Sequence, residues 1–478
     1  MFFGRTRELG ILHKHWESSS PECIVLYGRR RVGKTALINE FVKGRKTVFF
    51  PALQAPAGEN LAALSRAIAA CNGAGAVPVY QSYDDAFQAI TDMAKGERLI
   101  FVIDELPYLA DAEPSVLSRL QHLLDHDWAD SGIFLLLCGS SMSFMEKQVL
   151  SDKSPLFGRR TGQIRLEPLT FAEAALFHPE ADAAENALIY GITGGVPHYI
   201  NKLAVHGSLK EALLTNFFDP SAYLYEEPAN LLRQELREPA VYNAIISAIA
   251  HGASRISEIA SKLQMDTSQV NKYVKVLVEL GILIKVEPVA GPSKRKVIYR
   301  IKDNLFRFWY RFVPPNMVPI QSGYMDKIYD RAVESALNDY MRLIFEFMAR
   351  EWLLEHMDQL AFPLRQIGEW WGTLPNEHRE AQLDVVGIGV KGQNEPAGEK
   401  YLIGSCKYRN APIGPDELEL IASYAGAFAT AQDTCDYWIF SKGGFEPTLR
   451  QAEKEGRVHL VSLEEMYGNS AMSSAHRD

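Results

Sequence analysis

Over the first 170 residues, short runs that are apolar at every position alternate with stretches in which apolar side chains recur every three or four positions. The runs at 23–27, 99–103 and 133–138 have no polar face, the pattern of strands covered on both sides of a parallel sheet. The stretch 36–42 has helical spacing and follows the first run after a short turn. Strand, helix and strand in this order predict a parallel sheet flanked by helices. From residue 171 the pattern turns helical, interrupted by Gly194-Gly195-Val196-Pro197, and residues 219–228 read as an irregular crossing. Helical spacing from 231 gives way to two short strands, 282–286 and 296–300, and Pro314, Pro315 and Pro319 mark a connector. A long helical pattern over 329–356 opens a second α/β segment ending near Met466. Boundaries are therefore expected at 1–170, 171–230, 231–312 and 325–467, with 468–478 a small, polar, disordered tail.

The ends of the apolar runs carry the chemistry. After the first comes Gly28-Arg29-Arg30-Arg31-Val32-Gly33-Lys34-Thr35, of the form GxxxxGK[ST], with Ala36 entering the helix. Strand, glycine-rich turn and helix is the context in which backbone N–H groups and the helix's positive end cradle phosphates. Lys34 is expected against the β- and γ-phosphates of a nucleoside triphosphate and Thr35 on Mg²⁺. The second run ends in Asp104-Glu105. Asp104 is placed to hold the water shell of the magnesium, and Glu105 to orient and deprotonate the attacking water. The third ends in Gly139-Ser140-Ser141, where a small polar side chain, assigned to Ser141, can report on the γ-phosphate. ATP and Mg²⁺ are the expected cofactors, and ATP hydrolysis the expected activity.

Composition narrows the setting. The chain has 478 residues, 47% of them hydrophobic, enough for a sizeable core. No apolar run approaches the roughly 18 residues that span a bilayer, and Phe2-Phe3 meets Arg5 and Arg7 at once, so neither a membrane partner nor a secretory leader is expected. Five scattered cysteines without a CxxC fit free thiols in a reducing cytoplasm. The net charge of −9 argues against wholesale coating of nucleic acid, yet residues 251–302 hold ten basic side chains against four acidic ones. There a helix over 254–263 and a second over 268–280, capped by Asp266 or Thr267 and stopped at Gly281, precede the two strands. This is the order of a winged helix, which reads the major groove with its second helix and touches phosphate with its wing. Gln269, Lys272 and Lys275 on that helix and Lys294, Arg295 and Lys296 on the wing are the expected DNA contacts.

The last segment shows an acid on a helix (Glu346), an aspartate on a strand (Asp384), and Ser405-Cys406-Lys407 on the next strand, before a helix over 415–430. This resembles the order of PD-(D/E)xK nucleases, whose restriction-endonuclease-like fold uses two carboxylates to hold Mg²⁺ and a lysine beside the scissile phosphate. Ser405 stands where the second carboxylate belongs, and a neutral hydroxyl ligates Mg²⁺ weakly. The site is therefore expected to be degenerate, unless Glu346, Glu380 or Gln382 compensates.

Taken together, the chain resembles the archaeal-type ATPases, a branch of the AAA+/STAND P-loop ATPases. The resemblance rests on residues 3–9, on the loop at 27–35, on Pro155-Leu156-Phe157-Gly158-Arg159-Arg160-Thr161, on Gly194-Gly195-Val196-Pro197-His198-Tyr199, and on residues 303–310. It implies a P-loop ATPase core, a helical lid, a winged helix and a C-terminal domain in which Ser405 replaces the usual glutamate. It also implies that Arg5 belongs to a nucleotide-side box, that Arg159 or Arg160 senses phosphate or acts as a finger, and that the Gly-Gly-x-Pro turn reads nucleotide state. The function so implied is an ATP-driven switch or remodeller acting on DNA, with a homo-oligomer through the core as one possibility. The alternatives are an ATP-licensed Mg²⁺-dependent nuclease and a signalling or defence switch that binds protein.

Overall fold

The computed structural model describes every residue except 1, 19, 74, 204–206, 291–296, 375–378, 392–397 and 475–478. The chain forms two compact units, Met1–Leu169 with Val196–His198, and Thr170–Gly195 with Tyr199–Asp478.

The first unit is built on five parallel strands: β1 (Glu22–Tyr27), β2 (Thr47–Pro51), β3 (Leu99–Asp104), β4 (Ile133–Gly139) and β5 (Gly162–Arg165). They lie in the order β2-β3-β4-β1-β5. Every residue of β1, β3 and β4 is buried, which is why these strands read as unbroken apolar runs. Alternation along β1 sends Cys23, Val25 and Tyr27 into one layer with Phe101, Leu135 and Trp128. Ile24 and Leu26 enter the other, with Leu37, Phe41 and Phe134. Because β1, β3 and β4 run parallel and adjacent, their carboxyl ends emerge along one edge of a rigid sheet.

In the second unit, a run of helices ending in Tyr223–Glu235 precedes three more, Pro239–Ala250, Ile256–Leu263 and Thr267–Glu279. Gly281, at φ 72°, turns the chain out of the last of these into an antiparallel hairpin of β6 (Leu283–Val286) and β7 (Ile298–Ile301). The expected wing contacts Lys294, Arg295 and Lys296 lie outside the described residues. A mixed sheet follows: β8 (Leu364–Thr373), β9 (Glu380–Gly389), β10 (Lys400–Lys407), β11 (Thr434–Ser441) and β12 (His459–Ser462), ordered β12-β11-β10-β9-β8. β8, β9 and β10 are antiparallel neighbours, whereas β10, β11 and β12 run parallel. The helix Leu337–Glu355 packs on β9 and β10, and Asp416–Ala425 packs Leu418 and Ile421 against Ile403 and Ile439.

Two expectations of local order are corrected. Residues 219–228 are not irregular throughout, since the helix Tyr223–Glu235 contains Pro228. The tail expected from 468 is helical through Ser474 (Leu463–Ser474), and 475–478 lie outside the described residues. No helix among the described residues is long and apolar enough to cross a membrane, and all five cysteines are free.

Candidate nucleotide site and a carboxylate cluster

The loop after β1 is shaped by close approach. A Cβ on Gly28 would collide with the carbonyl oxygen of Leu166, so only glycine fits there. The loop then needs positive φ at Arg31 (73°) and Gly33 (95°). For Arg31 that conformation costs on the order of 1 kcal/mol or more, a strain the surrounding loop must hold. Lys34 is buried, and its Nζ donates to the carbonyls of Gly28 (2.8 Å) and Arg29 (3.0 Å), closing the loop on itself. Val32 is buried in the core, while Thr35 and Ala36 open the helix Lys34–Phe41 at the surface. Arg30 donates to the hydroxyl of Tyr108 at 3.0 Å.

At the ends of β3 and β4 the polar groups converge. The Thr35 hydroxyl donates to Asp104 Oδ2 (3.0 Å), while Asp104 Oδ1 accepts from the Glu105 N–H (3.1 Å). Glu105 has left-handed backbone angles (φ 55°, ψ 51°) and caps the helix Leu106–Ala112, which turns its side chain toward β4. Its Oε2 accepts from both the N–H (3.1 Å) and the hydroxyl (2.9 Å) of Ser140. A hydroxyl and a carboxylate beside a buried ammonium are hard oxygen donors of the kind Mg²⁺ takes, and the loop supplies the phosphate cradle, so these residues fit a magnesium nucleotide.

Three expected roles are corrected here. Ser140, the first residue past the strand, is buried against Glu105, whereas Ser141 caps the next helix; the polar group at this strand end is Ser140. Arg5 is buried with Nη2 donating to the Val32 carbonyl (3.0 Å) and Nη1 to Glu8 (3.3 Å), so it braces the loop from behind rather than reaching phosphate. Arg159 and Arg160 precede β5, whose Gly162 pairs with Ile24 and whose Arg165 pairs with Tyr27. They therefore sit at the amino-terminal edge of the sheet, six residues of strand or about 20 Å from the level of Gly28, too far to sense phosphate bound by their own chain. Arg159 is held by Asp125 through two bonds (2.7 and 2.8 Å), and Arg160 donates to Gln163 (2.9 Å) and to the Leu150 carbonyl (3.1 Å). Of the Gly-Gly-x-Pro turn, Pro197 folds with the first unit. Gly194 and Gly195 are both left-handed, and Pro197 Cγ lies 3.7 Å from where a Cβ on Gly33 would be.

In the second unit, Gln269, Lys272 and Lys275 are exposed on the helix whose other face buries Val270, Val274 and Leu277. Farther along, the four expected nuclease-type residues meet, with one that sequence spacing missed. Glu417, buried in the first turn of Asp416–Ala425, accepts from the Ser405 hydroxyl (2.7 Å) and pairs with Lys407 Nζ (3.0 Å). Lys407 also donates to Ser405 Oγ (2.9 Å), and its Nζ lies 4.0 Å from Asp384 Oδ2. Asp384 Oδ2 accepts from the Cys406 N–H at 2.9 Å, and the Asp384 carbonyl accepts from Arg350 Nη1 at 3.2 Å. Burial, then the charge of Asp384, pushes the Glu346 carboxyl up to about 8. Burial raises Asp384 as well, against the pull of Lys407. The position opposite Ser405 thus holds a carboxylate after all, supplied by a helix. An acid in the first turn of the helix after the Ser-x-Lys strand was the available signal.

Residues 2–203 match an ATPase domain found predominantly in Archaea. Residues 309–418 match a group of archaeal and bacterial proteins of unknown function. An uncharacterized protein of Methanocaldococcus jannaschii is 32% identical over 391 residues, 81% of this chain and 84% of that one. An uncharacterized ATP-binding protein of the same organism is 48% identical over 46 residues, 10% of this chain and 78% of its own. Among solved structures, a Walker-type ATPase of Pyrococcus abyssi shares the fold at 18% identity and a TM-score of 0.51, over 65% of this chain and 96% of that one. An ATPase domain matched across the whole first sheet, and a relative aligned over four-fifths of both chains, mean that this protein belongs to the family of P-loop ATPases found predominantly in Archaea.

Proposed function

We propose that the chain hydrolyses ATP and uses the change of state to act on DNA. The observation that carries the first half is the polar line at one sheet edge, in which Thr35 meets Asp104 and Ser140 holds Glu105 beside the loop closed by Lys34. In this reading the loop N–H groups and Lys34 bind the phosphates, and Thr35 and Asp104 hold the magnesium, which supplies charge neutralisation there. Glu105 orients the attacking water and takes its proton, the left-handed backbone and Ser140 fixing the carboxylate. Pro197, seated on Gly33, passes the state of the loop to the helical lid. Arg159 or Arg160, at the far edge of the sheet, serves the site of a neighbouring copy, which makes a homo-oligomer the working form.

The second half rests on the helices and hairpin of 239–301, read as a winged helix, with Gln269, Lys272 and Lys275 exposed together and a local excess of basic residues. A second reading, a signalling switch that binds protein, is favoured by one observation. The hairpin is docked on the C-terminal sheet, with Arg300 paired to Glu369 (2.7 Å) and the Val289 N–H donating to the Glu369 carbonyl (3.0 Å). Titration of labelled duplex DNA over a salt series, with and without ATP, decides between them. Salt-dependent binding modulated by ATP supports action on DNA, and its absence supports the protein-binding switch.

A further inference from the structure

We propose that the second unit binds a small amphipathic organic cation, an amine or guanidine on an apolar body, in a cleft where the turn 176–182 and the helix Ala183–Thr193 face Ile200 and Asn201. Binding there depends neither on ATP hydrolysis nor on DNA.

The cleft has a volume of about 530 Å³, of the size that holds small molecules, and every residue lining it belongs to the second unit. Phe177, Ile189 and Ile200 give it apolar walls, while Glu180, Glu185 and Asn201 bring polar groups to it. One wall is a pinned turn. Buried Asn186 donates through Nδ2 to the carbonyls of Ala181 (3.0 Å) and His178 (3.4 Å), and the Ala181 N–H donates to the same His178 carbonyl (3.1 Å). Asp182 then caps the helix by accepting from the Glu185 N–H at 2.8 Å. Glu180 on the turn and Glu185 in the first helical turn therefore stand at set places, which spares a ligand the cost of ordering them.

The charge around the cleft is one-sided. Neither Glu180 nor Glu185 has a side-chain hydrogen bond or ion pair among the described residues. The lysines nearby in sequence are engaged elsewhere, Lys202 Nζ 5.1 Å from the centre of the Tyr223 ring and Lys210 paired with Asp330. A third carboxylate stands against Gly207 in the lining, since Glu211 Oε2 would lie 3.0 Å from a Cβ at that glycine. Acids of one sign along a concave wall concentrate cations.

The apolar walls decide which cation fits. Among the described residues no three acidic, histidine or cysteine side chains converge on one point, so the carboxylates form no cage for a bare metal ion. An inorganic cation would also leave Phe177, Ile189 and Ile200 against water. An ammonium or guanidinium on an apolar body meets both halves of the cleft, its head at the carboxylates and its body along the walls.

The test is calorimetric titration of the full chain without nucleotide, at about pH 8, above the ordinary pKa of histidine, because His178 also lines the cleft. The probes are tryptamine, its neutral counterpart tryptophol, and spermidine, which has charge but no large apolar body. Tryptamine is expected to bind saturably at one site per chain, and tryptophol and spermidine about tenfold more weakly or worse. Glu180→Gln combined with Glu185→Gln is expected to lower tryptamine affinity to that of tryptophol and to leave tryptophol binding unchanged. Asn201→Lys, at an exposed position, sets a resident ammonium in the cleft and is expected to abolish tryptamine binding in a chain that melts like the parent. No saturable tryptamine binding by the folded parent, tryptophol bound as tightly as tryptamine, or parental affinity in the double glutamine variant overturns the proposal. Binding of a tri-arginine peptide with none of tryptamine overturns it in favour of a protein-docking surface.

Discussion

Glu105→Gln separates binding from chemistry at the nucleotide site because of how Ser140 holds the side chain. Both Ser140 donors go to one oxygen, Oε2. Glutamine keeps an oxygen that can take that corner and accept both bonds, with its amide nitrogen on the other side. Geometry and nucleotide affinity should therefore survive. Two bonds to a charged acceptor become bonds to a neutral one, a change of about 1 kcal/mol each, so a modest fall in melting temperature is expected. The chemical step loses its base, a contribution of roughly 10²–10⁴-fold, equivalent to about 3–5 kcal/mol of barrier. The assay is single-turnover phosphate release at saturating Mg²⁺-ATP, paired with a fluorescent-nucleotide titration on the same preparation. A variant that binds nucleotide like the parent and turns over within about threefold of it, against the expected loss, would show that Glu105 is not the base. Its bond to Ser140 would then be structural.

Lys34→Ala removes the one buried ammonium of the loop and should weaken nucleotide binding by roughly 100-fold or more, read by the same titration. Replacing Lys294, Arg295 and Lys296 together by alanine should weaken binding to every duplex and flatten the log-affinity against log-salt slope by about three units if each meets a phosphate. An unchanged slope would make the hairpin a packing element. Glu351, held up at about 8 chiefly by burial, accepts from the Phe171 N–H at 3.0 Å. Its folded-state value is raised, so below the ordinary value of 4.5 both states are protonated and nothing is lost. Between about 4.5 and 8 the unfolded chain ionises while the folded one does not, and stability falls by up to about 1.4 kcal/mol per pH unit. Glu351→Gln should remove that slope, so its stability advantage in urea titrations grows from pH 5 to pH 8; a constant difference would refute the assignment.

What could be read in advance followed from constraints local in sequence. The strands of the first sheet are buried on both faces, so 23–27, 99–103 and 133–138 differ from the observed strands by a residue or less at each end. The phosphate loop was legible because its backbone dictates its composition, glycine at 28 by close approach and at 33 by positive φ. What escaped depends on contacts that spacing does not encode. A single step past the end of β4 decides that Ser140, not Ser141, meets Glu105. Arg5 finds a main-chain carbonyl 27 positions away, and carbonyls carry no signature in the side-chain pattern. Glu417 is separated from Ser405 by a strand end, a turn and a helix start, so only the packing of that helix on β10 brings them together. Small polar residues after 467 suggested disorder, yet the helix Leu463–Ser474 continues through them.

The arginines before β5 give the proposed ATPase its quaternary logic. A parallel sheet has two unlike edges, and the register of β5 on β1 fixes Arg159 and Arg160 at the edge opposite the phosphate loop. No side-chain rotation spans six residues of strand, so within one chain these guanidinium groups cannot reach a phosphate held at Gly28–Thr35. Arg159 is meanwhile paired in bidentate fashion with Asp125 at the surface, an arrangement that water and salt weaken and that contributes little to holding the fold. A phosphate offered by another copy is a better partner than Asp125, because its greater negative charge meets the same fixed fork of donors. On the proposed reading each chain therefore carries its own binding loop and base, and the arginine that meets the γ-phosphate comes from a neighbouring copy. Hydrolysis would then wait on assembly, and the far edge of one sheet would complete the near edge of the next.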